Sequence, residues 1–279
     1  MTDDAGGPGP GATPDPESVW RGILLGTDPR YRRNHTLMRR FPGNPRCHFC
    51  SAPFGGLGAP VARLMGRRPW PKNPRYCQTC FMLMEHQRGG AEVDCSLLFA
   101  DVRGSTALAE RISPGEFRAA MERFYETAAR VLFAHDAILD KFVGDEVVAI
   151  FIPALSGELH SARAVATGRA LLAATGHGEP DGPWLPLGMG VHTGIAYVGA
   201  VGDALNTGIS ALGDVVNVAA RLASAAGPGE LLVSETAARA AGLDSTGLER
   251  RDLDLKGKTD RVPVVVLGVG EGLSAVVRP

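Results

Sequence analysis

Two Cys-x-x-Cys pairs, Cys47 with Cys50 and Cys77 with Cys80, bracket a Pro- and Gly-rich stretch of 26 residues that has no apolar periodicity of its own. Such a segment buries too little apolar surface to offset the entropy of ordering it, so the two pairs must be tied together. No apolar run approaches the roughly 18 residues that a membrane helix needs. The start of the chain lacks the basic and apolar segments of a secretory signal. Residues 1–15 read as a disordered leader and the chain as cytoplasmic, where thiols stay reduced. A metal therefore replaces a disulfide as the expected link. Four soft thiolates satisfy tetrahedral zinc, giving one structural Zn2+ per chain on Cys47, Cys50, Cys77 and Cys80 and leaving His48 no vacancy. The second pair opens a predicted helix over 81–88, as in treble-clef-like zinc folds. A redox dithiol and an iron–sulfur centre remain as other readings. The fifth cysteine, Cys95, begins an apolar run and reads as a small core residue.

Charge separates the chain into two parts. Residues 21–80 hold 12 Arg and Lys against Asp28 alone; of 29 basic and 30 acidic residues overall, the remainder keeps 17 and 29. The organisation predicted is a helical, basic, zinc-binding module over 16–90 and a second domain over 91–279, joined across the linker-like Arg88-Gly-Gly-Ala-Glu92. Asp15-Pro16 and Asp28-Pro29 each supply a cap and a first-turn proline for a short helix. The basic surplus fits either a nucleic-acid contact or docking on an acidic protein surface, including the second domain itself.

From Cys95 the pattern is strand (95–100), turn (Asp101 to Thr106), then a long helix opened by the capping box Ser113-Pro-Gly-Glu116. Strands over 137–143 and 146–152 meet at the Gly144-Asp145 turn. A helix over 156–175, strands 187–193 and 196–201 meeting at Gly194, and a helix over 213–226 follow, then strand, helix and strand. This order predicts an α+β fold with one mainly antiparallel sheet and helices on one face.

Asp101 ends an apolar strand just before Gly104-Ser105-Thr106, whose backbone N–H groups are placed to cradle phosphates. Asp145 sits on a hairpin tip. If the two strands are neighbours, both carboxylates lie at one sheet edge and can hold two hard cations; each alone reads as an ordinary turn aspartate. Asn217 and Arg221 stand at i and i+4 of an otherwise apolar helix, and Lys256 and Lys258 follow a strand, where a triphosphate can meet them.

Leu98-Phe99-Ala100-Asp101-Val-Arg-Gly-Ser-Thr106, Lys141-Phe-Val-Gly-Asp145, Gly190-Val-His-Thr-Gly194 and Leu212-Gly-Asp-Val-Val-Asn-Val-Ala-Ala-Arg221 together resemble the class III adenylate and guanylate cyclase family, in order and spacing, over roughly residues 93–270. The resemblance implies a ferredoxin-like catalytic domain that converts a nucleoside triphosphate to a 3′,5′-cyclic nucleotide and pyrophosphate in signal transduction. It implies Asp101 and Asp145 as ligands of two Mg2+ or Mn2+ ions, Asn217 orienting the ribose, Arg221 stabilising charge at the α-phosphate and Lys256 meeting the terminal phosphates. Base selection maps onto Lys141 and Ser210. Lysine and a hydroxyl at these positions favour ATP, while GTP and pyrimidine triphosphates stay open because a serine hydroxyl can donate or accept. The family divides each site between two subunits, which implies a homodimer. His192, inside the third motif, reads as a packed or hydrogen-bonded histidine. A diguanylate cyclase, suggested by Gly144-Asp145-Glu146, lacks the expected second glycine. The reading from another class is a non-catalytic zinc or nucleic-acid-binding protein that keeps a cyclase-like domain for dimerisation.

Overall fold

The protein is described by a computed structural model over residues 15–71, 73–86, 88–202, 208–254 and 261–269. Asp15 and Asp28 cap α1 (Pro16–Leu24) and α2 (Pro29–Arg40), each with proline in the first turn. The irregular stretch then holds the short helix α3 (Ala59–Leu64), a hairpin of β1 (Pro69–Trp70) and β2 (Asn73–Cys77), and α4 (Gln78–His86), which starts on the residue after Cys77. A cysteine turn, a hairpin and a helix N-terminus thus surround the four thiols, the treble-clef-like arrangement expected.

The chain continues through β3 (Gly89–Val102), α5 (Ser105–Arg111), α6 (Pro114–Ala134), β4 (Ile138–Val143), β5 (Glu146–Phe151), α7 (Pro153–Ser156) and α8 (His160–Ala174). It ends with β6 (Leu187–Val201), β7 (Gly208–Leu212), α9 (Asp214–Ala225), β8 (Leu231–Ser234), α10 (Glu235–Ala240), β9 (Arg250–Leu253) and β10 (Val262–Leu267). Among the described residues the main sheet runs β4-β5-β3-β6-β8-β10-β9, with β7 beside the second half of β6. Among the described residues only the β6–β8 pair of this sheet is parallel. Ser113 and Glu116 form the capping box of α6, and Gly144, with φ of 59°, makes the β4–β5 turn.

Three local expectations give way to packing. Gly194 is no turn: β6 runs unbroken through it, and a Cβ there would lie 2.8 Å from the Val215 side chain of α9. Its glycine serves close helix–sheet approach. The Gly89-Gly90 pair is likewise strand and not linker, paired with Ala200 and Gly199 of β6; Gly89 sits at a φ of 118°, and a Cβ on Gly90 would lie 2.3 Å from the Val198 carbonyl oxygen. The helices also cover both faces of the sheet. On one face α6, α8 and α10 pack over Leu98, Ala100, Val102, Val147, Met189 and Val265. On the other lie α9 and the cysteine module, packed over Ala91, Val93, Cys95, Leu97 and Phe99.

The alternation of β3 explains this second layer. Strands that are apolar on both sides need cover on both sides. Trp20, Ile23, Leu24, Phe49, Tyr76, Phe81 and the four cysteines belong to the same continuous core as Ala91 to Phe99, Ile150 and Val198. Polar contacts fix the seam. Arg39 pairs with the buried carboxylate of Asp136 at 2.7 Å, and His48 donates from Nδ1 to the Leu139 carbonyl at 3.1 Å. Burial pushes His48 down to about 4, so it docks as neutral imidazole. Arg46 donates to the carbonyls of Phe41 and Ser51 within the module. Part of the basic surplus is therefore spent inside the chain. Trp20 is 0% exposed in this shared core. Trp20→Ala should cost about 3–5 kcal/mol, read calorimetrically as a lower midpoint of one transition for the whole chain. Two transitions, with only the first displaced, would contradict a shared core.

Candidate active site

The β3–β5 register sets Asp101 opposite Glu146, and the Val102 N–H donates to the Asp145 carbonyl at 3.2 Å. Three carboxylates therefore gather at one sheet edge, two of them expected and Glu146 not. Burial, then the neighbouring charges of Asp101 and Asp145, push Glu146 up to about 7. Asp101 is also raised, chiefly by burial and further by Asp145, against the lowering effect of Arg103. Crowded hard oxygen donors, with Asp101 and Glu146 both raised, are a donor set that suits Mg2+ or Mn2+.

Neighbouring groups hold this edge in place. Arg103 pairs with Asp101 and donates to the carbonyls of Ser224 and Ala226 at 3.1 and 3.3 Å, satisfying the last turn of α9. The Tyr125 hydroxyl of α6 donates to the Gly144 carbonyl at the hairpin tip. Gly104, in the left-handed region at φ 73°, lets Ser105 open α5 directly beyond Asp101, with no side chain capping the helix start.

Asn217 and Arg221 lie together on the outer side of α9, while Val215, Val218, Ala219 and Leu222 face the sheet. Asn217 is exposed, and neither residue has a hydrogen bond or ion pair among the described residues. They are not joined to the carboxylates. Lys256 and Lys258 lie outside the described residues.

Lys141 and Ser210, 69 positions apart, do meet: Lys141 Nζ donates to Ser210 Oγ at 3.1 Å. Asp140 joins them, accepting from Ser210 Oγ at 2.8 Å and lying 3.3 Å from Lys141 Nζ. Strand alternation would send consecutive residues to opposite faces. The β4–β5 register slips between Leu139 and Lys141, and this bulge turns both side chains toward Ser210. Burial raises Asp140, while Lys141 and the Ser210 hydroxyl favour its charged form. Strand β7 is held from its other side as the Ile209 N–H donates to the Tyr76 hydroxyl at 3.0 Å.

Tyr76 precedes Cys77, one of four buried cysteines whose sulfurs all lie within 4.8 Å of one another. The Cys50 and Cys77 sulfurs are 3.7 Å apart, close to the ~3.8 Å edge of a tetrahedron with 2.3 Å metal–sulfur bonds. All four are free thiols. Their mutual hydrogen bonds hold Cys77 far below its usual range and push Cys50 and Cys80 well above it. Arg67 lies 3.8 and 4.0 Å from the Cys77 and Cys80 sulfurs, and the Cys77 N–H donates to Cys47 Sγ at 3.2 Å. Positive charge and N–H donors around four sulfurs fit a zinc tetrathiolate. Cys95 stands apart, fully buried, its thiol pushed up to about 12 by burial. His192 bonds Ser234 through Nδ1 at 2.7 Å, a packed strand histidine as expected.

Residues 90–268 match the adenylate and guanylate cyclase catalytic domain. Adenylate cyclase 1 of Rhizobium meliloti is 31% identical over 46% of this chain and 20% of its own length. The rat guanylate cyclase soluble subunit beta-2 is 28% identical over 59% of this chain and 24% of its own. The chain thus spans about a quarter or less of each. The crystal structure of the guanylyl cyclase Cya2 superimposes with a TM-score of 0.60 at 28% identity, over 68% of this chain and all of that one. That of the adenylyl cyclase CyaB from P. aeruginosa gives 0.55 at 25%, over 65% and 97%. No described helix is long and apolar enough to cross a membrane. With its motifs in order on this sheet and more than half its length matched, the chain belongs to the adenylate and guanylate cyclase catalytic domain family.

Proposed function

We propose that this chain is a nucleotidyl cyclase that converts ATP to 3′,5′-cyclic AMP and pyrophosphate, at two sites shared between the subunits of a homodimer. The observation that carries the reading is the gathering of Asp101, Asp145 and Glu146 at one sheet edge, with Asn217 and Arg221 making no hydrogen bond or ion pair among the described residues. Two half-sites with no contact between them among the described residues suit completion by a second copy.

Asp101 and Asp145 would hold two Mg2+ or Mn2+ ions, which supply charge neutralisation at the triphosphate and lower the pKa of the ribose 3′-hydroxyl. In the reaction the 3′-oxygen bonds to the α-phosphorus as the bond to the bridging oxygen of pyrophosphate breaks, and the hydroxyl proton leaves to water. Asn217 orients the ribose, and Arg221 meets the charge that grows on the α-phosphate oxygens. Lys256 meets the terminal phosphates, and the turn at Gly104, Ser105 and Thr106 borders them. Lys141 and Ser210 read the base, the lysine donating to a ring nitrogen and the hydroxyl accepting from an amino group. One structural Zn2+ sits on Cys47, Cys50, Cys77 and Cys80. Docking of the basic module on the acidic domain has Arg39–Asp136 to support it.

Mass spectrometry of the products from ATP, GTP, CTP and UTP with Mn2+ should find cyclic AMP foremost. Arg221→Ala or Asn217→Ala should lower kcat by about 100- to 1,000-fold. Mixing Asp101→Ala with Asn217→Ala protein should restore activity through one intact composite site, and a mixture as inactive as its parts would rule out sharing.

The raised Glu146 links metal to pH. A carboxylate held at about 7 when folded binds a proton that the unfolded chain has released, so its contribution to stability is present at low pH and lost as pH rises through 7. Divalent cations offset that loss. Mn2+ should therefore raise Tm more at pH 8 than at pH 6, and Glu146→Gln should flatten the difference; equal Mn2+ shifts at both pH values in the parent protein would contradict the cluster.

A further inference from the structure

The second polar cluster at β4 and β7 contains a residue that the base-reading role of Lys141 and Ser210 does not use. Asp140 directly precedes Lys141, its carboxylate is 7% exposed, and the β4 bulge aims it at the same hydroxyl that Lys141 touches. A bulge leaves one residue without a place in the ladder and commonly re-aims a side chain beside a site. Here it brings a carboxylate where an ordinary strand would turn it away.

The hydrogen-bond arithmetic of this trio is closed. An ionised carboxylate only accepts, an ammonium only donates, and a serine hydroxyl has one hydrogen and two lone pairs. Ser210 gives its hydrogen to Asp140 Oδ2 and one lone pair to Lys141 Nζ. What it can still offer a ligand is a lone pair. Lys141 keeps a hydrogen after serving Ser210 and Asp140. The pair thus presents an acceptor beside a donor about 3 Å apart. Adenine carries the complement on its Watson–Crick edge, an amino donor next to a ring-nitrogen acceptor. In the same pose guanine sets its carbonyl oxygen against a hydroxyl that has no hydrogen left to give.

We propose that Asp140 is a specificity-determining positioning residue: by taking the Ser210 hydrogen it fixes that hydroxyl as an acceptor, and so turns a side chain indifferent to adenine and guanine into one that selects adenine. The inference rests on the reading of Lys141 and Ser210 as the base contacts. Tyr76 keeps the geometry fixed from behind, because its hydroxyl accepts from the N–H of Ile209, the residue before Ser210.

The test compares kcat/KM for ATP and for GTP, with Mn2+, in full-length wild type, Asp140→Ala, Ser210→Ala and the double variant. Freed of Asp140, the hydroxyl can rotate to serve either base, so the ATP-to-GTP ratio should fall about tenfold, through KM more than kcat. Since Asp140 acts through Ser210, adding Asp140→Ala to Ser210→Ala should leave the ratio within about twofold. A parallel loss for both nucleotides with the ratio unchanged would overturn the proposal, and so would a full shift that persists without the serine. Should Asp140→Ala not fold, the similarly sized Asp140→Leu, which has no acceptor, carries the same comparison and should also lower the ratio, whereas an unchanged ratio overturns the proposal. A wild type that cyclises none of the four triphosphates sinks the cyclase reading instead. The ratio of equilibrium binding constants for ATP and GTP in the same variants then still decides Asp140.

Discussion

The structure depends on burying both faces of one strand. β3 sends Ala91, Val93, Cys95, Leu97 and Phe99 into one apolar core and Leu98, Ala100 and Val102 into another, while all 14 of its residues pair with β6. Its far end delivers Asp101 to the sheet edge, where the register with β5 brings Glu146 and Asp145 beside it. Position of the carboxylates therefore follows from the pairing of the strand, and the pairing persists because each face has cover. On one face helices α6, α8 and α10 supply that cover. On the other it comes partly from α9 and partly from a segment whose own sequence has few means of holding shape.

That segment ties cysteine chemistry to the catalytic sheet. Four sulfurs within 4.8 Å of one another bring together the cysteine turn, the β1–β2 hairpin and the start of α4, and one cation bound there would fix them relative to one another. Once fixed, they present Phe49, Tyr76 and Phe81 to the odd-numbered residues of β3. The cysteine cluster is thus not an ornament on a separate domain: its apolar surround is continuous with the sheet, and Tyr76, next to Cys77, reaches the backbone beside Ser210. Ordering of the thiolates and ordering of β7 share a hydrogen bond.

Much of this was legible in the chain itself. Chemistry that depends on spacing came through: paired cysteines, a glycine at a hairpin tip, caps before helices, and two polar residues at i and i+4 on the open stripe of α9. Features set by contact between distant segments did not. Gly194 and Gly90 look like punctuation locally, but they are glycines because a helix or a facing strand comes too close for a side chain. Glu146, Arg103, Tyr125 and Asp140 take part in the candidate site through sheet register and a bulge, neither of which leaves a mark on apolar periodicity. An ion pair two residues apart, Asp101 with Arg103, was the one such signal present in the sequence. The second layer on the sheet was hidden for a similar reason: the run from Cys95 to Ala100 says that both faces are apolar, but not what covers them.

A cyclase sheet whose second face is partly closed by a thiolate-ordered segment makes a claim that one measurement addresses directly. Hydrogen–deuterium exchange of the full chain, before and after zinc is withdrawn by a chelator under reducing conditions, reports each amide separately. If the module is a structural part of the sheet, the Ile209 amide and its β7 neighbours lose protection together with residues 41–86. If exchange rises only within the module while Ile209 stays protected, the catalytic sheet stands without it and the account fails.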